Sequence, residues 1–398
     1  MAEFRVIASD DAFADAVAQL ADGAGPVGVD AERASGFRYS QRAYLIQMFR
    51  RGAGTFLFDP TEIADFAPLA DAVGGEEWVL HAASQDLACL REVGLDPSSI
   101  FDTELAARLL GMPRVGLASV VEELLGVKLA KEHSAADWST RPLPQPWLTY
   151  AALDVELLID LRDQLGERLA DAGKHELAAQ EFDAVLHREP KPQAADPWRR
   201  LSGIHALRSG RNLAVARSLW LARDARAVEL DIAPGRLVPD ASIVAVARNL
   251  PGTRRALADL KEFTGRASRS ELDRWWAAVD EGLHTADLPP VRVPSDALPP
   301  PRAWAARHPD ADARLRVAKQ AVADAAERFG MPVENLLTPD HLRRVAWKPP
   351  ADGSVGAIRT ALADLGARPW QIDATAQIIA DAFVTAAQSV EDATGAAS

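Results

Sequence analysis

Along the first half of the chain the spacing of apolar positions switches between a helical and a strand period. Ser9-Asp10-Asp11 precede Phe13, Val17 and Leu20, a spacing that predicts a capped helix to about residue 21. Gly23-Ala24-Gly25-Pro26 breaks it. Strands are predicted over 27–32, 43–49 and 55–58, the last two joined by a tight hairpin through Arg50-Arg51-Gly52-Ala53-Gly54. A helix over 66–73, a buried strand over 78–81, a helix over 84–93, a short strand over 100–102 and a helix over 103–110 follow. Hairpin first, then strand alternating with helix, predicts an α/β unit with a mixed sheet and helices on its faces.

Beyond residue 110 the pattern is helical. Helices are expected over 117–126, over 147–172 as one long element, and over 175–187, with a polar loop at 131–146. Glu189-Pro190-Lys191-Pro192 marks a first boundary. Between 197 and 284, Pro234-Gly235, Val238-Pro239 and Leu250-Pro251-Gly252 are breakers spaced like the turns of a small all-α bundle. The proline-rich stretch 288–301 reads as a stiff linker. More amphipathic helices follow, and the tail after Ala387 is expected to fray. The expected organisation is therefore 1–192, 193–287, a linker at 288–301, and 302–398.

Composition narrows the class. The single cysteine, Cys89, excludes an internal disulfide framework and a cysteine-rich zinc site; its helix pattern makes it a core residue. The N-terminal MAEFRVIASDD has no basic stretch leading into an apolar run, and no apolar stretch approaches ~20 residues, so neither a secretory leader nor a membrane span is expected, and the location expected is cytoplasmic. The net charge is −13, yet from Asp196 to Glu281 fifteen Lys and Arg face eleven Asp and Glu. A mildly basic module sits inside an acidic chain, which favours a polyanion as its partner.

Four carboxylates stand where strands end or helices begin. Asp30 and Glu32 share one face of the strand in Val27-Gly28-Val29-Asp30-Ala31-Glu32. Asp86 is expected one turn into the helix after His81, and Asp154 lies one helical turn beyond Tyr150. Carboxylates brought together repel unless a proton or cation lies among them, and oxygen donors of this kind suit Mg²⁺ or Mn²⁺. Two such cations would acidify an attacking water and offset charge gathering on a phosphodiester, with a tyrosine beside them to orient the water.

The strings VGVDAE, HAASQDLACL and YAALDVELL, in that order, resemble the three exonuclease motifs of the DEDD superfamily, and Tyr150 places them with its tyrosine subclass. Arg38-Tyr39-Ser40, Tyr44-Leu45-Ile46-Gln47, Phe101-Asp102-Thr103 and the run from Lys131 through Asp137-Trp138-Ser139-Thr140-Arg141-Pro142-Leu143 look like ribonuclease D. Arg211-Asn212-Leu213-Ala214-Val215-Ala216-Arg217, Pro234-Gly235-Arg236 and Val238-Pro239-Asp240 resemble an HRDC domain, the helical module also found in RecQ-type helicases, and the C-terminal segment is similar to a second one. The resemblance implies a ribonuclease H-like domain that removes nucleotides from RNA 3′ ends, with two divalent cations. Asp30, Glu32 and Asp154 would bind them directly, and Asp86 directly or through water. Tyr150 would hold the attacking water. The implied substrate is RNA with a free 3′ end, such as a tRNA precursor. The alternatives are single-stranded DNA as substrate and a non-catalytic nucleic-acid scaffold.

Family members often carry an aromatic residue after the motif-one glutamate; here Arg33 stands there, facing a substrate phosphate or solvent. Lys131 and Arg141 suit phosphate contacts or internal ion pairs. Arg211 and Arg217, with Arg208, Arg223 and Arg226, suit a phosphate-binding face or a solvated one. His81, Trp138, Trp220, Trp275 and Trp276 read as structural, and Asp102 as a cap for the helix beginning at Thr103. Removing everything after about Pro190 is expected to spare hydrolysis of short single strands and to weaken binding to folded RNA.

Overall fold

The structure is a computed structural model and describes residues 4–129, 135–190, 192, 194–263, 265–292 and 298–395. Its first part is built on six strands: β1 (Val6–Ile7), β2 (Ala24–Arg33), β3 (Ala43–Arg51), β4 (Gly54–Phe58), β5 (Glu77–Leu80) and β6 (Ser99–Asp102). They lie in the order β1-β4-β3-β2-β5-β6. The β2–β3–β4 pairs are antiparallel, while β1, β5 and β6 join in parallel. β1 is only two residues long, too short to show a period, and is the strand the pattern did not announce.

The helices are α1 (Asp10–Ala21), α2 (Ala67–Val73), α3 (Leu87–Glu92), α4 (Thr103–Leu109), α5 (Leu117–Leu125), α6 (Gln145–Glu156), α7 (Leu158–Asp171) and α8 (His175–Leu186). Alternation along the strands sends Val27, Val29, Ala31, Ile46, Met48 and Phe58 onto Phe13 and Leu20 of α1 and Leu69 of α2. The other face carries Leu45 and Leu57 against Leu148, Ala151 and Ala152 of α6, with Trp138 buried among them. Asp30 and Glu32 emerge on this second face, beneath α6.

The long helix expected over 147–172 is two helices, α6 and α7, separated at Leu157. At the break the carbonyl of Val155 lies against Gly28 so closely that a Cβ there would stand 2.8 Å from the oxygen. Only glycine permits this approach of strand and helix. Gly28→Ala should therefore push the α6–α7 junction away and cost about 1–3 kcal/mol, an overpacking penalty. A fall in Tm measures it, and the wild-type Tm would show that the junction yields freely.

Residues 197–263 and 265–284 form a helical bundle around its own core, in which Leu213, Leu219, Ile243, Phe263, Trp275 and Val279 meet. Its long helix is α9 (Gly210–Leu230). The C-terminal helices, by contrast, share one continuous apolar core with the sheet unit. Lys174 before α8 donates to the carbonyls of Leu109 and Gly330, and Arg368 grips Glu181 of α8 with two hydrogen bonds of 2.5 and 2.6 Å. The last helix, Pro369–Gly395, runs through the tail expected to fray. Ile372, Ala376, Ile379 and Phe383 form a buried stripe at helical spacing that holds it to the common core. Of the proline-rich stretch, 293–297 lie outside the described residues; Leu298 packs on the common core, and Leu288 lies against Gly210. Among the described residues no helix is long and apolar enough to cross a membrane.

Candidate active site

Three pieces of backbone converge on one cavity of about 400 Å³. β2 delivers Asp30 and Glu32, and a register irregularity follows them, Glu32 pairing with Leu45 and Arg33 with Ala43. α6 delivers Tyr150 and Asp154 one turn apart. The turn after β5 delivers Asp86. That turn passes through Ala82 in a left-handed conformation (φ 61°), costly for a residue with a Cβ. The Asp102 carboxylate holds it there, accepting from the N–H groups of Ala82 (3.0 Å) and Ala83 (2.9 Å). It also caps α4 through Glu104 and Leu105, as expected. Asp86 thus sits at the junction of a 3₁₀ turn, Ala83–Gln85, and α3, rather than one turn inside a helix. The strained turn consumes the residues that periodicity assigned to the first helical turn.

The carboxylate oxygens of Asp30, Glu32 and Asp154 include one from each residue that all lie within 4.8 Å of one another. Asp86 lines the same cavity and meets Arg33 at 3.8 Å. The Tyr150 hydroxyl donates to Asp154. Burial pushes Asp30 up to about 6, partly opposed by the Ala31 N–H and the Arg33 charge. Burial, then the neighbouring Asp30, pushes Asp86 up to about 8 and Asp154 to about 7. Burial and the other three acids hold Glu32 well above the usual carboxylate range. Four such groups cannot all ionise near neutral pH without added positive charge. An all-oxygen donor set of this kind suits hard divalent cations, so the residues present fit Mg²⁺ or Mn²⁺.

His81 forms part of the cavity wall but is neutral, its ring pushed down to about 4 by burial. His81 Nδ1 and the Thr103 hydroxyl share a hydrogen bond of 2.9 Å, and the same hydroxyl meets Leu80 O, a structural use. Trp138, Trp275 and Cys89 are buried core residues, as their patterns suggested.

The expected substrate contacts fare differently. Arg33 remains at the cavity, with 26 % of its side chain exposed. Lys131 lies outside the described residues. Arg141 is corrected: its guanidinium forks onto Asp59 and donates to the carbonyls of Trp138, Thr140 and Tyr44, leaving no N–H for a phosphate. Arg211 donates to Gly282 O and Thr285 O, and Arg217 to Asp287. Arg223 is buried against Val238 O and Asp240, and Arg226 pairs with Glu229 and Glu271. These arginines tie α9 into the bundle; of the five only Arg208 stays exposed. Helical spacing alone does not distinguish a solvated face from one that bonds to distant segments.

One contact had no advance signal. The segment leaving β2 toward β3 is fastened to the end of α9. Asp231 accepts from Ser40 N–H (2.8 Å), the Ser40 hydroxyl and the Tyr44 hydroxyl, while Tyr39 donates to Asp224. Ala233 N–H and Arg236 Nε donate to the carbonyls of Phe37 and Gly36. The helical bundle therefore braces the rim of the cavity.

A mixed sheet presenting clustered carboxylates, followed by helical modules, defines a 3′-5′ exonuclease. Residues 4–170 match the 3′-5′ exonuclease family, 212–279 the HRDC domain, and 297–383 the 3′ to 5′ exonuclease C-terminal domain. The chain is 32% identical to ribonuclease D of Cronobacter turicensis over 257 residues, covering 62% of this chain and 68% of that one. It is similar to the crystal structure of Escherichia coli RNase D, with 28% identity, a TM-score of 0.65 and coverage of 92% of this chain and 98% of that one. A structure of a protein from Bifidobacterium adolescentis is similar at 38% identity and TM-score 0.89, covering 96% and 99%. The chain belongs to the ribonuclease D family and is a 3′-5′ exoribonuclease.

Proposed function

We propose that this enzyme shortens structured RNAs, tRNA precursors among them, one nucleotide at a time from the 3′ end, using two divalent cations. Supporting this reading above all are the oxygens of Asp30, Glu32 and Asp154, within 4.8 Å of one another in a cavity beside a phenol. The Escherichia coli relative is described as an exoribonuclease involved in structured RNA processing. Asp30, Glu32 and Asp154 would hold the cations, with Asp86 joining directly or through water. Bound there, the cations supply the charge that acidifies water and offsets the developing charge on the phosphate. Arg33 compensates Asp86 and stands ready for a phosphate of the incoming strand. The chain would divide into an exonuclease domain at 1–192, an HRDC domain at 193–287, a linker at 288–301 and a second HRDC-like domain at 302–398. The exposed basic groups of the HRDC domain, Arg208 among them, would hold the body of the RNA.

The test is a gel of 3′- against 5′-labelled RNA, and of DNA of the same sequence, with Mg²⁺, Mn²⁺ or chelator. Mononucleotides released from the 3′ label, RNA preferred over DNA and activity lost in chelator are expected. Internal cuts, or full activity in chelator, would overturn the reading; equal rates on DNA would move the substrate to single-stranded DNA.

Tyr150, donating to Asp154 at the cavity, is proposed to orient the attacking water. Tyr150→Phe should slow the chemical step about a hundredfold while cation affinity stays at the wild-type value. A lost cation affinity would make the phenol a support for Asp154 instead.

A further inference from the structure

Gln47 lies on β3 directly opposite Asp30 on β2. Paired residues on neighbouring antiparallel strands point to the same face with Cβ atoms about 5 Å apart. Both therefore lie beneath α6, on the face where Leu45, Leu57 and Ala151 are packed. Gln47 is 0 % exposed, and neither its Oε1 nor its Nε2 has a hydrogen-bond partner among the described residues. A buried amide left unpaired is worse for the fold than an apolar side chain of the same shape. Packing thus gives no reason for glutamine at this position. Its cross-strand neighbour does: carboxylates that ligate cations are themselves held by hydrogen bonds that set their orientation. A primary amide offers two N–H donors to such an oxygen.

We propose that Gln47 is a positioning residue, its amide donating to the Asp30 carboxylate when the cation site is filled and fixing the orientation in which Asp30 binds. The proposal rests on the reading of Asp30 as a cation ligand. On this view Gln47 serves the carboxylate it faces across the strand pair rather than the packing around it.

The experiment uses the full chain and Mn²⁺ as probe. Mn²⁺ affinity is measured by calorimetry, and Tm is measured in chelator, for wild type, Gln47→Met and Asp30→Asn; Gln47→Leu serves if the Met variant does not fold. For Gln47→Met the expected result is a Tm in chelator equal to or above wild type, with Mn²⁺ affinity about 10- to 100-fold weaker. Saturating Mn²⁺ should restore much of the lost kcat. Wild-type Mn²⁺ affinity in Gln47→Met, with Tm raised or lowered, would overturn the proposal while leaving Asp30 in place. Wild-type affinity in Asp30→Asn would sink the site assignment itself, and this proposal with it.

Discussion

Asp30→Asn is expected to cut release of 3′-terminal nucleotides by about a thousandfold or more, the scale on which a preorganised charge stabiliser counts. Affinity for RNA should stay near wild type. The substitution keeps the shape and removes one charge. Asp30 is the acid that the other three share: its charge raises Glu32, Asp86 and Asp154 alike. Removing it should weaken cation binding and relieve the repulsion among the remaining three. The second effect has a definite sign. The folded-state values of Asp30, Asp154 and Asp86, about 6, 7 and 8, lie above those of the unfolded chain, near 3.8. The unfolded chain therefore loses these protons first, and stability in chelator falls as pH rises from about 4 toward 8. Asp30→Asn should flatten that fall. Thermal melts across this range and labelled-RNA gels at one pH check both effects, and unchanged turnover would remove Asp30 from the site.

Glu181→Ala should destabilise the enzyme by about 3 kcal/mol, the low end for breaking a buried ion pair, because Arg368 keeps 22 % exposure. Glu181 is 5 % exposed and accepts from Arg368 through both oxygens, and from the Trp370 indole N–H at 2.9 Å. Truncation leaves a cation and an indole donor unpaired where the C-terminal helices meet α8. A drop in Tm of roughly 5 °C or more follows. Glu181→Gln, which keeps an acceptor, should lose less, and a Tm equal to wild type for Glu181→Ala would show that the latch carries no weight. The same contact bears on the truncation after about Pro190, expected to spare hydrolysis of short single strands and to weaken binding to folded RNA. Because residues 304–383 share one apolar core with the sheet unit, a chain ending near Pro190 would expose that core. Low stability is now expected of such a fragment, ahead of any loss in binding folded RNA.

Local chemistry made much of this enzyme legible. The strand period alone put Asp30 and Glu32 on one face, and the helix period put Tyr150 above Asp154; both hold in the folded chain. Cys89 and Trp138 were assigned to the core from their surroundings in the chain, and they are there. Tertiary packing decided the rest. It placed Asp86 on a left-handed turn held by Asp102, and it divided the long helix where Val155 rides over Gly28. It gave Arg141, Arg211 and Arg217 partners inside the protein, and it joined the C-terminal helices to the sheet unit while leaving the middle bundle its own core. The division has one physical cause. Backbone geometry repeats every two or 3.6 residues, so the chain itself states which way a side chain faces. Which group it meets there depends on segments many residues away, and only the packed chain brings those together.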